Sequence, residues 1–108
     1  MTAPNTEAIR TLNDAFRSTF IGGNVVVTRG ISALGNLEAL IDQVQRYDNF
    51  AEDSDPHGEH DFGSLVFERE KIFWKIDYYD SQLDQGSPDP ADASQTTRVL
   101  TVMLASEY

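Results

Sequence analysis

A chain of 108 residues is sized for one domain that buries its own core, and the absence of cysteine excludes disulfides, thiolate metal ligands and a cysteine nucleophile. Eighteen acidic residues against eight basic ones give a net charge of -10, which repels nucleic acid and anionic membranes and argues against either as a direct partner. The charge is uneven: Asp48, Glu52, Asp53, Asp55, Glu59 and Asp61 fall in one segment, and Asp77, Asp80, Asp84, Asp89 and Asp92 in a second, neither holding a lysine or arginine.

Met1 to Asn5 lacks the basic segment and apolar run of a secretory signal, and no apolar run reaches membrane-spanning length, so the expected location is the cytoplasm. Thr6 or Asn5 can cap a first helix over about 6–20, with Ile9, Leu12, Phe16 and Phe20 at helical spacing and Gly22-Gly23 as its C-cap. Val25, Val26, Val27 and Thr28 form a short β-branched run that reads as a central strand covered on both faces, and Arg29-Gly30 turns the chain. A second helix over about 36–48 carries Leu37, Leu40, Ile41, Val44 and Tyr47 on one stripe. From Asn49 to Asp61 the polarity, Pro56 and Gly58 predict a loop.

Next comes a hairpin over about 64–78, turning at Glu68 to Lys71. In its second strand Ile72, Trp74, Ile76 and Tyr78 alternate with Phe73, Lys75, Asp77 and Tyr79, so one side meets the helices and the other is partly wet. Ser81 to Gln95, with Gly86, Pro88 and Pro90, is a second long loop. Val99, Leu100, Met103, Leu104 and Tyr108 fit a last helix over about 95–107, although the Thr and Val content there also suits a strand. The expected architecture is a single α+β domain, 1–108: a small antiparallel sheet with a central hairpin, packed by two or three helices.

His57, Glu59, His60 and Asp61 lie within five positions and offer the ligand types that zinc or another divalent transition metal accepts. In this alternative His57, His60 and Asp61 bind the metal, and Glu59 or Asp61 activates its water for a hydrolase or nuclease. Asp53, Asp55, Gly58, Glu59 and Asp61 approach a calcium-loop frame, but Ser64 stands where a bidentate glutamate is required. The plainer account makes both histidines surface or loop-holding residues. The leading account needs no cofactor and no enzyme chemistry. It expects the two acidic segments to form one face, Glu52, Asp53, Asp55, Glu59, Asp61, Asp77, Tyr79, Asp80 and Asp84, that binds a protein partner with a basic surface. Exposed rings at Phe73, Tyr78 or Tyr79 would favour a homodimer.

The strings LNDAFR (Leu12 to Arg17), VTRG (Val27 to Gly30), EDSDPHGEHDFG (Glu52 to Gly63), FWKIDYYD (Phe73 to Asp80), GSPDPAD (Gly86 to Asp92) and TRVLTVMLASEY (Thr97 to Tyr108) span nearly the whole chain. Together they resemble a family of small bacterial proteins known only as a domain of unknown function. The resemblance implies an accessory gene of plasmids and other mobile elements, and hence an inhibitor of host defence, anti-restriction or anti-CRISPR in kind. It carries over no reaction, cofactor or catalytic residue.

Overall fold

The computed structural model describes residues 4–51 and 55–108. Glu7 stands in the first turn of helix α1 (Pro4–Thr19), beside the positive end of the dipole, and Arg17 in the last turn. The inward stripe is Ile9, Asn13, Phe16 and the partly buried Phe20, so an asparagine occupies a core position. The helix stops at Phe20, which takes the left-handed conformation at φ 60° and returns its N–H to the Phe16 carbonyl at 2.6 Å. The expected glycine cap is therefore a phenylalanine, and Gly23 instead opens strand β1 (Gly23–Val27).

β1 is an edge strand rather than the expected central one. Its residues alternate, with Val26 45% exposed and Val25 and Val27 packed on the core. After it, Arg29 to Ser32 form a single helical turn, α2, whose start is closed from a distance: the Glu107 carboxylate accepts from Thr28 Oγ1 at 2.6 Å and from Gly30 N at 3.1 Å. Helix α3 (Leu37–Gln45) is shorter than its apolar stripe suggests and buries Leu40 and Val44.

The hairpin forms as expected, from β2 (Phe62–Phe67) and β3 (Glu70–Tyr79). Its two turn residues, Glu68 and Arg69, both hold positive φ, 50° and 68°, which matches the right-handed twist of the flanking strands despite the absence of glycine. The last segment is not a helix. It is β4 (Thr97–Leu104), antiparallel to β3 and parallel to β1, so the sheet is mixed, in the order β1-β4-β3-β2. The physical reason is period two: Arg98, Leu100 and Val102 are buried while Thr97, Val99 and Thr101 are half-exposed.

All three helices pack on one sheet face, giving a core of Phe16, Ile31, Leu40, Val44, Ile72, Trp74, Ile76, Leu100 and Val102. Each buried aliphatic side chain contributes about 1.5–3 kcal/mol. Trp74 is the largest of them and is fully buried between Tyr47, Phe50 and strand β2. Its cross-strand partner is Gly63, and a Cβ there would overlap the indole ring. Gly63→Ala must displace Trp74 and should cost about 1–3 kcal/mol. The check is a lower urea midpoint together with altered tryptophan emission.

Candidate functional site

The polar core begins at Asn13, which is fully buried. Its Nδ2 donates to the Glu59 carbonyl at 3.0 Å and to the Tyr78 hydroxyl at 2.8 Å, while its Oδ1 accepts from Arg98 Nε at 2.7 Å. Tyr78 passes the chain on by donating to Glu59 Oε1 at 2.8 Å. Arg98 completes it by donating to the Pro90 carbonyl at 2.6 Å and lying 5.2 Å from the Tyr78 ring centroid. Every hydrogen-bonding atom of the Asn13 amide is thereby used, which is the condition for burying it without penalty. Burial draws the Arg98 pKa down and pushes the Tyr78 phenol well up, so Tyr78 stays a donor through the physiological range.

A second group closes the loop from the other side of α1. His60 stacks on Phe50 at 3.7 Å with the rings 3° from parallel, and its Nδ1 lies 2.9 Å from Asp14 Oδ1. Buried Asp55 accepts from the His60 backbone N–H at 3.1 Å, and its other oxygen is 3.6 Å from His60 Nε2. Positive φ at His60, 55°, turns the ring toward the helix. Arg10 donates to the Gly58 carbonyl at 2.9 Å, and Arg17 to Asp14 at 3.0 Å while covering Phe50 and Trp74.

The expected metal cluster is not assembled. Among the described residues no three His, Asp or Glu side chains are placed to share an ion. The left-handed turn sends His60 to Asp14 and Asp55, whereas exposed His57 lines a groove of about 400 Å³ with Asp61, Phe62, Lys75, Asp77 and Tyr108. Asp61, half-buried there, has its carboxyl raised by burial and by Glu59.

The remaining expected binding residues divide by environment. Glu52 and Asp53 lie outside the described residues. Asp55 and Glu59 face inward, on His60 and Tyr78. Asp77 takes Lys75 at 2.7 Å. Tyr79 is 36% exposed and bridges to Gly86. Asp80 accepts from the Gln82 and Asp84 amides, which hold its carboxyl below the usual range, and Asp84 is exposed. Asp92, capping the turn at Ala93–Gln95, is likewise lowered by Ser94.

Strand register fixes where these groups sit. The loop before β2 meets β3 beyond Lys75, with the Ile76 amide on the Asp61 carbonyl, and the loop after β3 leads into β4 at Thr97, opposite Tyr79. The described parts of both acidic segments therefore lie at one end of the sheet, tied together through Glu59, Asn13, Arg98 and Pro90. Arg69 and Lys71 stand at the hairpin turn, at the other end, where Arg29 also follows the last residue pairs of β1. Arg17 and Arg98 are buried, and Arg46 is paired with Asp42.

Asp14, Asn13, Arg17 and Arg98 are site residues that the sequence reading did not select. The available signal was Asn13 at a core position of the α1 stripe, and Arg98 at an inward position once β4 is read as a strand.

Tyr78→Phe removes the hydroxyl shared by Asn13 and Glu59 and should cost about 1–2 kcal/mol at neutral pH. The unfolded phenol loses its proton near pH 10.0 while the folded one retains it, so the stability due to this group is full below pH 10.0 and falls as the pH rises further. Urea titrations at rising pH should show the native protein losing stability above that value more steeply than Tyr78→Phe.

No helix among the described residues is long and apolar enough to cross a membrane. No curated protein and no solved structure matches the chain. The sequence pattern described as "Protein of unknown function (DUF3768)" matches residues 27–107, which takes in the loop, the hairpin and β4, and the chain belongs to that family.

Proposed function

We propose that this protein is a small non-enzymatic interaction protein whose acidic end engages a basic surface on a protein partner. The observation that carries the reading is the joining of the two acidic segments through Asn13 and Arg98, which sums their fields at one end of the sheet. The lowered carboxyls of Asp80 and Asp92 favour ionisation at those two positions. A duplex carries about one negative charge per 1.7 Å of its axis, so spaced carboxylates on a rigid end suit a groove built for a phosphate backbone. An inhibitor of a nucleic-acid-binding defence protein, anti-restriction or anti-CRISPR in kind, is the specific form of this reading. It acts in the cytoplasm, without cofactor, and does not bind nucleic acid itself.

The test compares equal charge changes at opposite ends. Binding of a decalysine peptide should weaken by about tenfold or more between roughly 50 and 200 mM salt. Neutralising Asp77, Asp80 and Asp84 together should weaken it by about tenfold, whereas neutralising Glu38, Glu68 and Glu70 should change it less than about twofold. Equal effects from the two sets would reduce the reading to net charge alone.

A further inference from the structure

The groove beside β3 has a composition that a general acidic face does not require. Its two carboxylates come one from each acidic segment, Asp61 and Asp77. Lys75 already occupies Asp77 at 2.7 Å, and Asp61 has no ion-pair partner among the described residues. Two carboxylates stand against one lysine ammonium in the groove, and that ammonium is already held by Asp77. Two rings line it: Phe62 lies 6.2 Å from Tyr108 at 83°, and both contact Phe73, at 5.1 and 5.7 Å.

We infer that this groove receives the guanidinium of one arginine side chain presented by the partner, paired to Asp61 and laid against the exposed Tyr108 ring. The inference rests on the proposed function, because it names the residue type by which the basic partner is gripped. Three properties select arginine over lysine. A planar guanidinium meets a carboxylate with two parallel N–H groups, stacks on aromatic rings, and is more weakly hydrated than an ammonium, so it enters a half-buried site at lower cost. Burial first, and then the neighbouring Glu59, raise the Asp61 carboxyl, with His57 acting the other way.

That raised carboxyl also supplies the control for folding. A carboxyl whose pKa is raised on folding favours the native state below its ordinary pKa, and this contribution is lost as the pH climbs through the raised value. Burial disfavours the ionised form of Asp61 in the fold, so Asp61→Asn should keep or increase stability.

The experiment measures binding of decaarginine and decalysine peptides at about 150 mM salt. Native protein should bind the arginine peptide about fivefold more tightly, a preference that comes from bidentate pairing and ring stacking. Amide shifts should centre on His57, Phe62, Asp77 and Tyr108. In Asp61→Asn the preference should fall below about twofold with an equal or higher urea midpoint at neutral pH. Equal affinity for the two peptides, or a preference that survives Asp61→Asn, overturns the arginine site. Salt-sensitive decalysine binding that persists in that case leaves the acidic-end reading standing; loss of binding to both peptides refutes that reading as well.

Discussion

The rest of the structure depends on one side chain amide. Asn13 sits where the α1 stripe calls for an apolar residue, and it holds three partners that belong to three different parts of the chain: the Glu59 carbonyl of the first acidic loop, the Tyr78 hydroxyl at the end of β3, and Arg98 at the start of β4. A buried amide with all its hydrogen bonds made is close to neutral for stability, but it is highly directional. A leucine at this place could bury as much surface and would specify none of these contacts. What Asn13 adds is position, for two loops that carry little apolar surface of their own.

That positioning has an electrostatic consequence. Loops rich in carboxylates repel one another, and a chain of net charge -10 gains nothing by bringing them together unless something opposes the repulsion. Here two of the opposing groups are inside, while Arg10 and Lys75 are half-exposed. Arg98 and Arg17 are buried beneath the segments, where they bind carbonyls, Asn13 and Asp14, and leave the outward carboxylates of Asp80 and Asp84 without a covering arginine or lysine among the described residues. Cations spent on the interior hold an acidic exterior in place. In the groove Asp61 and Asp77, one from each segment, share a wall with Phe62 and Tyr108, which is where the proposed contact is made.

Much of this is legible from residues alone, and each departure has a local cause. The α+β class, the helices around Phe16 and Val44, and the hairpin turning at Glu68 follow from apolar periodicity, which the fold obeys wherever the inward residues are apolar. Periodicity misled where a polar residue faces inward. Arg98 broke the alternation of β4 and made Val99, Leu100, Met103 and Leu104 read as a helical stripe, and Asn13 was passed over inside an otherwise good one. β1 looked like a central strand because three consecutive valines hide which of them points out, and Val26 does. The histidine cluster is legible as a cluster but not as a geometry: Gly58, at positive φ, marks a turn between the two histidines, whereas the further left-handed residue, His60, is not a glycine. The same two inward polar residues that interrupt the apolar pattern, Asn13 and Arg98, are the ones that build the polar site.

The most direct measurement of the central claim is of the Asn13 side-chain amide by nuclear magnetic resonance. The account predicts slowly exchanging amide protons with nuclear Overhauser contacts to the Tyr78 ring and to Glu59, and an Arg98 Nε proton protected alongside them. Asn13 amide protons exchanging at the rate of an exposed asparagine, with no contact to Tyr78 or Glu59, would mean that the two acidic segments are not joined, and the account would fail at its base.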